Sequence, residues 1–326
     1  MIRVGLIGRG AAGKVFHAPL IRAVAEMELV AEAGSADAAD LIARGDIDLL
    51  VVAAPNHAHF ALAEAALSAG KHVVVDKPFT VTTAEADVLL ALAAARQRML
   101  TVFQNRRWDG DFLTVRAMIE SGRLGEILLF EAHWDRFRPA IKPGWRERPS
   151  EGGGLFVDLG AHLVDQALVL FGRPEALSAD LVRQRQQAEV DDYFDLILHY
   201  GRMRARLSAS TLVTAPRPRF ALYGTEGALV KHGLDPQEAR LRDGGDVLDP
   251  GFGIEDEADY ALFTPADGPA ERIATVPGCY RTFYEEVAEA LLRGGPPPVD
   301  PRSARNGLLV LELARESARE GKRLTL

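Results

Sequence analysis

An aspartate and a histidine stand four residues apart, just after a run of three glycines. The segment Glu151 to Gln166 is EGGGLFVDLGAHLVDQ, and its apolar residues recur at helical spacing. On an α-helix, Asp158 and His162 lie one turn apart on the same face. A carboxylate and an imidazole on a mostly buried helix need either a partner or a chemical task. They could form an acid–base pair, or they could be a core histidine and a capping aspartate.

Zinc binding is another chemistry that aspartate and histidine support. No third ligand stands at a regular spacing from Asp158 and His162, and the chain has one cysteine, Cys279. We therefore expect no metal site and no disulfide framework. A single cysteine also fits a reducing compartment, so a cytoplasmic location is expected.

The first strand-like segment runs directly into a glycine loop. Ile2 to Gly8 is rich in branched apolar residues, and GRGAAG is followed by helix-like sequence. In the dinucleotide fingerprint, such glycines permit a tight turn, close approach of the pyrophosphate and close packing of helix on strand. The sequence therefore predicts a dinucleotide site, with loop contacts from Gly8, Arg9, Gly10, Ala11, Ala12 and Gly13.

The end of the second strand should lie beside the adenosine ribose. That strand, Glu28 to Ala33, is followed by Gly34, Ser35, Ala36 and Asp37. Small hydroxylated residues leave room for a 2′-phosphate, whereas an acidic residue at the strand end would bind both ribose hydroxyls and select NAD. No arginine stands immediately beside these residues. We expect NADP rather than NAD, with Ser35 as a contact, although Asp37 could equally be a helix N-cap.

Polar residues also follow the next three predicted strands. The carboxyl ends of parallel strands share one edge of a sheet, and ligands bind there. Lys77 follows the strand His72 to Val75 and could stabilise charge that develops on a substrate oxygen; the structural alternative is an exposed lysine in a turn. Further cofactor contacts are expected from Ala54, Pro55, Asn56, His59, Asp76, Lys77, Asn105 and Arg106.

The order of predicted elements indicates an α/β fold with two domains. Alternating strands and helices up to about Arg107 predict an N-terminal Rossmann domain with a doubly wound parallel sheet. The short connection from Asp37 to the strand Ile47 to Ala54 implies that one helix–strand unit at the sheet edge is compressed or missing. We expect the Rossmann domain at 1–120.

A different pattern of elements begins after about Gly125. Strands with alternating apolar residues and a tight turn at Tyr200-Gly201 predict a C-terminal α+β domain with a large, mostly antiparallel open sheet. Asp235 to Pro277 is rich in Asp, Gly and Pro and is expected to form surface loops. Two helices, about Tyr280 to Arg293 and Ser303 to Glu320, should close this domain, which we place at 121–326.

Composition limits the classes of partner. Of the 326 residues 48% are apolar, and the net charge of −8 argues against a generic surface for nucleic acid or anionic membrane. The first residues lack a signal-peptide pattern, and charges interrupt the alanine-rich helices well short of a membrane span. We expect a soluble protein with a small-molecule partner and with no nucleic-acid or membrane partner.

Several motifs in order resemble one family. GRGAAG, the APN segment, DKP and GGG-x-x-x-D-x-G-x-H are similar to the glucose–fructose oxidoreductase and inositol dehydrogenase (Gfo/Idh/MocA) family. HVVVDKPFTVT, FQNRRWDGDFLT, HWDRFRP and TVPGCY resemble its bacterial branch that includes NADP-dependent scyllo-inositol dehydrogenases. The likeness spans essentially the whole chain. It implies a Rossmann domain followed by an α/β domain whose open sheet makes a homodimer or homotetramer.

The resemblance also implies an activity and a set of site residues. Lys77 matches the lysine of the usual EKP motif, with Asp76 replacing glutamate, and Asp158 and His162 match the catalytic aspartate and histidine. The implied reaction is hydride transfer between NADP or NAD and a secondary alcohol or ketone of a polyol or sugar, with an inositol-like substrate favoured. Substrate contacts are expected from Lys77, Arg106, Trp108, Arg136, Asp158, His162, Asp192 and Tyr280; Arg138 and Trp145 are added for their position near the glycine run.

In this scheme His162 is the general base, since the pKa of an imidazole ordinarily lies near the working pH. Asp158 would hold its ring or the substrate, and Lys77 would bond the reacting oxygen. Cys279 stands where the family has an asparagine, which leaves one substrate contact open. The alternatives are a non-catalytic dinucleotide sensor, or the same class of enzyme acting on an aldose, a keto-sugar or an imine.

Overall fold

The computed structural model describes residues 1–34, 36–141, 144–149 and 153–326. The chain divides into two compact units, each assembled from three stretches. Unit 1 comprises Met1–Trp108, Pro236–Phe252 and Cys279–Leu308, and unit 2 comprises Asp109–Asp235, Gly253–Gly278 and Leu309–Leu326.

Nine α-helices occur in the described residues. They are α1 Ala18–Arg22, α2 Ala38–Ala43, α3 His59–Ser68, α4 Thr83–Arg96, α5 Gly110–Glu120, α6 Ala161–Phe171, α7 Gln237–Arg242, α8 Arg281–Arg293 and α9 Pro301–Glu320. Two π-helical turns, Ala12–His17 and Phe156–Gly160, lead directly into α1 and α6. Such turns are rare and are frequent at functional sites. Both lie where the sequence predicts site residues.

Unit 1 is built on a parallel sheet of five strands. Its strands are β1 Ile2–Ile7, β2 Met27–Ala33, β3 Leu49–Val52, β4 His72–Asp76 and β5 Leu100–Phe103, in the order β2-β1-β3-β4-β5. Parallel strands covered on both faces need continuous apolar runs, and the LLVV of β3 is buried throughout. A full doubly wound sheet would add a strand outside β2. Instead α2, of six residues, precedes β3, which confirms the predicted compression at this edge.

Unit 2 contains the predicted large, mostly antiparallel sheet. The strands are β6 Ile127–His133, β7 Ala176–Val182, β8 Tyr193–Tyr200, β9 Met203–Ser210, β10 Phe220–Gly224, β11 Gly227–Lys231, β12 Ala261–Pro265, β13 Glu271–Ile273 and β14 Leu324–Thr325. Their order is β13-β12-β11-β10-β6-β9-β8-β7-β14, and within the described part of this second sheet only β6 and β9 pair in parallel.

One face of this sheet packs against the helix that carries the predicted catalytic pair. Phe156 meets Phe194 of β8 at a ring-centroid distance of 5.0 Å, and Phe171 of α6 meets Phe130 of β6 at 5.1 Å. The alternation predicted for β8 is confirmed, because Phe194, Leu196 and Leu198 are fully buried. The sheet is therefore the platform that fixes α6.

The prediction that Asp235 to Pro277 forms only surface loops is wrong. This stretch contains α7, the strand β12 and the edge strand β13. Both strands are short, and they are held by pairing with β11 and with each other, which local sequence does not reveal. Helix α5 was likewise not predicted.

A buried ion pair joins β11 to a distant loop within unit 2. Lys231 Nζ lies 3.0 Å from Glu255 Oε2, and neither side chain is appreciably exposed. Burial raises the pKa of Glu255, because the carboxylate is less well solvated there. Removing the lysine would leave that carboxyl buried without its cation.

We predict that Lys231→Met lowers the free energy of unfolding by about 3–5 kcal/mol. The matched control is Arg202→Met, which breaks the exposed pair with Glu126 and should cost less than about 1 kcal/mol. Urea unfolding followed by circular dichroism gives both values. Equal losses in the two variants would contradict the prediction.

Candidate functional site

Close backbone contacts shape the loop after β1. A Cβ on Gly13 would lie 1.9 Å from the carbonyl oxygen of Gly8, and a Cβ on Gly8, whose φ is +140°, would lie 2.3 Å from that of Ala53. Only glycine fits at these two positions. A Cβ on Gly10 would have no described atom within 4 Å. The loop thus presents bare backbone at its surface, a cradle that fits the pyrophosphate of a dinucleotide.

The remaining loop residues lie on or near the surface. Arg9, Gly10 and Ala11 are exposed, and Ala12 is half-buried at the start of the π-helical turn. Ser35 lies outside the described residues, as do Glu151 and Gly152, the first two residues of the segment Glu151 to Gln166.

His59 ties together the loops after β3 and β4. The side chain is fully buried, with Nδ1 2.8 Å from the carbonyl oxygen of Pro78 and Nε2 2.8 Å from that of Ala54. Burial lowers its pKa, while the Asp76 carboxylate and the two carbonyls oppose that shift. The structure therefore places His59 beneath these loops, where it positions their backbone. Pro55 is exposed and Asn56 is buried in the same loop.

Asp76 fixes the backbone of Lys77 at the end of β4. Asp76 Oδ1 accepts the Lys77 N–H at 2.7 Å, and its other oxygen lies 3.8 Å from His17 Nε2. His17 Nδ1 in turn lies 2.6 Å from the Tyr284 hydroxyl. Burial opposes ionisation of Asp76, but the His17 contact and the Lys77 ammonium outweigh it and lower its pKa. Lys77 itself is half-buried.

Three predicted substrate residues of unit 1 lie near one another. Arg106 donates from Nη1 to the Tyr280 hydroxyl at 2.6 Å, and it forms an ion pair with Glu238 of α7. Both Arg106 and Tyr280 are buried, as is Asn105. Trp108 packs edge-on against Phe283 at 5.6 Å between ring centroids.

Glu238 of this group was missed because the sequence assigned its segment to a loop. Burial opposes its ionisation, but Arg106 and Arg242 outweigh burial and lower the pKa of Glu238. The negative charge that Glu238 keeps is the partner that allows Arg106 to be buried as a cation.

Asp158 and His162 occupy consecutive turns of different helical type. Asp158 lies in the π-helical turn, where Arg146 Nε approaches its Oδ1 at 3.4 Å. His162 lies in α6 and stacks on Trp134, with ring centroids 5.9 Å apart and planes 29° apart. The carboxylate is the more exposed of the pair, and the imidazole is largely buried.

Asp158 opens into a cavity of about 250 Å³ in unit 2. Charged and aromatic side chains line much of it: Arg136, Arg138, Trp145, Arg146, Glu147, Asp158, Arg185 and Asp191. Several of these charges are matched within the wall, since Arg146 faces Asp158, and Arg185 Nη2 lies 2.8 Å from Glu147 Oε2. Paired donors and acceptors around an aromatic ring suit a neutral ligand rich in hydroxyl groups.

Asp192 stands behind the cavity wall. It is fully buried, and its carboxylate accepts hydrogen bonds from the backbone N–H groups of Gln184 and Arg185 and from Arg185 Nε at 2.8 Å. The structure therefore places Asp192 where it orients Arg185, which does line the cavity.

A buried cation lies behind the ring on which His162 stacks. Arg219 Cζ is 4.9 Å from the centre of the Trp134 ring, and Arg219 Nη2 donates to Gln166 Oε1 at 2.8 Å. Gln166 follows His162 by one turn of α6. Arg219 also faces Asp111 of α5 at 3.3 Å. Sequence reasoning missed this arginine, and the only local signal was the spacing of His162 and Gln166.

The described part of the chain has neither a cluster of metal-ligating side chains nor a membrane-spanning helix. No group of three or more His, Cys, Asp or Glu side chains there could hold a metal ion. Within the same residues, no helix is long and apolar enough to cross a membrane.

Comparisons with known proteins agree on one family over most of the chain. Residues 32–104 match the model of the oxidoreductase family, NAD-binding Rossmann fold, and 116–326 match that of its C-terminal alpha/beta domain. The oxidoreductase YdgJ of Escherichia coli is 43% identical over 100% of this chain and 99% of its own length.

A sequence and a solved structure from Bacillus subtilis also match over nearly their full lengths. The scyllo-inositol 2-dehydrogenase (NADP(+)) is 34% identical, covering 100% of this chain and 96% of the relative. A solved structure of the oxidoreductase YvaA superposes with a TM-score of 0.96 at 34% identity, covering 100% of this chain and 98% of that one.

We predict that His59→Leu destabilises unit 1. The change leaves the carbonyls of Ala54 and Pro78 without the ring nitrogens that face them, which should cost about 2 kcal/mol in the free energy of unfolding. His57→Leu, at an exposed position of the same loop, is the control. Chemical denaturation measures both, and an unchanged midpoint for His59→Leu would exclude the positioning role.

Proposed function

The chain belongs to the Gfo/Idh/MocA oxidoreductase family, and on that premise we propose that it oxidises a secondary alcohol of a cyclic polyol, with NADP as cofactor. It is an oxidoreductase with a nicotinamide-cofactor domain. The proposal for the substrate rests on the cavity into which Asp158 opens. Ion pairs and an aromatic ring line the wall of this cavity.

NADP, when bound, accepts the hydride or returns it. The glycine loop from Gly8 to Gly13 would hold its pyrophosphate, because bare backbone can approach the phosphates there. The strand-end residues Ala54, Pro55, Asn56 and Asn105 are proposed as further contacts.

Three side chains are assigned to the substrate's reacting group. His162 takes the hydroxyl proton during oxidation and gives it back during reduction. Asp158 accepts a hydrogen bond from a substrate hydroxyl and orients it. Lys77, assigned by its motif, donates a hydrogen bond to the reacting oxygen, where negative charge develops as the proton leaves.

The case for a polyol comes from the wall of the unit 2 cavity. The Arg146–Asp158 and Arg185–Glu147 pairs of this wall can donate to and accept from several hydroxyl groups. Trp145 offers an aromatic surface beside Arg146, whose guanidinium lies 4.5 Å from the centre of its ring, and such surfaces pack on sugar rings. The relative named as a scyllo-inositol dehydrogenase supports the same substrate class and NADP.

We predict that His162→Ala lowers kcat by about 100-fold or more while leaving the Kd for NADP unchanged, because only the proton carrier is lost. The measurement is absorbance of the reduced nicotinamide with a panel of inositols and sugars. His232→Ala, an exposed histidine of unit 2, is the matched control.

Unchanged turnover in His162→Ala would remove this residue from the mechanism. Tight NADP binding by the wild-type protein with no turnover of any polyol, sugar or imine would instead favour the dinucleotide sensor.

The second face of the unit 2 sheet is proposed to pair with another copy of the chain. Tyr223 of β10 and Leu262 of β12 are 41% and 45% exposed on this face. The strand register places them on the same side of the sheet, through Ala228 and Val230 of β11. Exposed apolar side chains on one face of a wide sheet suit a homodimer or homotetramer interface.

We predict that Tyr223→Lys combined with Leu262→Lys converts the oligomer to a monomer, because two buried ammonium groups would face an apolar surface. Light scattering after size-exclusion chromatography measures the mass. Leu248→Lys, in an exposed segment of unit 1, should leave it unchanged. A double variant that keeps the wild-type mass would exclude this face.

A further inference from the structure

Arg9 extends from the glycine loop to the end of β2. Its Nη2 donates to the carbonyl oxygen of Glu32 at 3.1 Å, and its Nη1 lies 3.3 Å from Asp37 Oδ2. These residues all belong to unit 1. In a Rossmann domain the adenosine ribose lies beyond the end of the second strand. A guanidinium therefore stands where the ribose would carry its 2′-substituent.

We propose that Arg9 binds the 2′-phosphate of NADP and selects NADP over NAD, by exchanging the Asp37 carboxylate for the phosphate. The inference rests on the proposed function in taking NADP as the cofactor. It adds the residue that would recognise the phosphate, which the sequence next to β2 does not supply.

The chemistry of the two groups supports this exchange. A guanidinium offers a planar fork of N–H donors that matches the oxygens of a phosphate. The pair with Asp37 is exposed, with 58% and 59% of the two side chains accessible, and exposed ion pairs contribute little. A phosphate monoester carries more negative charge than a carboxylate at neutral pH, so it competes well for the same cation.

Asp37 has the opposite effect. Its carboxylate would repel a 2′-phosphate, and it could accept hydrogen bonds from the ribose hydroxyls of NAD. At the same position, Arg9 therefore favours NADP and Asp37 favours NAD. Because Arg9 reaches both the strand end and the acid, we infer that the arginine decides the preference.

The test is direct binding without a substrate. Isothermal titration calorimetry with NADP, NAD and 2′,5′-ADP would compare the wild-type protein with Arg9→Gln. The variant should bind NADP and 2′,5′-ADP about 10- to 100-fold more weakly, from loss of one charge-assisted contact. Its affinity for NAD should change by less than about 3-fold, because NAD lacks the phosphate.

Three further variants sharpen the result. Asp37→Asn should tighten NADP binding, since it removes the repulsion. Arg44→Gln removes an exposed arginine of unit 1 that pairs with Asp46, before the amino end of β3; it should leave all three affinities unchanged. Thermal unfolding would verify that each variant is folded, and Arg9→Lys, which keeps the charge but loses the fork, should give an intermediate loss.

The outcomes separate this inference from the proposed function. Equal losses for NADP and NAD in Arg9→Gln, or no loss for either, would overturn the assignment of Arg9 even if a polyol is turned over. Selective loss of NADP and 2′,5′-ADP would support the assignment even if no polyol is oxidised.

Discussion

The contact between Gly13 and the carbonyl oxygen of Gly8 is the constraint on which the dinucleotide loop depends. No side chain fits there, so the first helical turn lies directly against the end of β1. A tight turn of this kind leaves the residues between the two glycines on the surface. It also sets the point from which Arg9 reaches the end of β2. The close contact between Gly8 and Gly13 therefore both exposes the loop backbone and sets where the Arg9 side chain begins.

Buried charges with matched partners hold most of the other site residues. Arg106 is paired with Glu238, Arg185 with Asp192, and Arg219 with Asp111. A buried ion pair does little for net stability, but losing one partner is costly, so each pair fixes geometry more than it adds stability. In both units, residues expected to contact a ligand are thus oriented by charged partners, such as Glu238 and Asp192, which a ligand would not contact.

Periodicity predicted the sheets well, since strand and helix patterns are local. The five parallel strands and the compressed edge follow from spacing, and so does the face of β8 that is buried. Strands β12 and β13 escaped prediction because pairing holds them, β12 with β11 and β13 with β12, and α7 escaped because Asp, Gly and Pro dominate its surroundings. For the site, motifs predicted Lys77, Asp158 and His162. They could not reveal that Asp192 is enclosed by Arg185 or that Arg9 turns toward Asp37, because side-chain direction is set by tertiary contacts.

The assembly of unit 1 from three stretches of chain has a consequence for its synthesis. Phe103, at the end of the last strand of the parallel sheet, packs against Phe283 and Tyr284 of α8, at 4.9 and 5.8 Å between ring centroids. Those rings are translated nearly two hundred residues after the strand they cover. The five strands and helices α1 to α4 emerge from the ribosome early, but the part of the covering that α8 supplies arrives only near the end of translation. Until α8 is made, the aromatic ring of Phe103 lacks this covering, and a chaperone would protect the exposed surface from aggregation during that period.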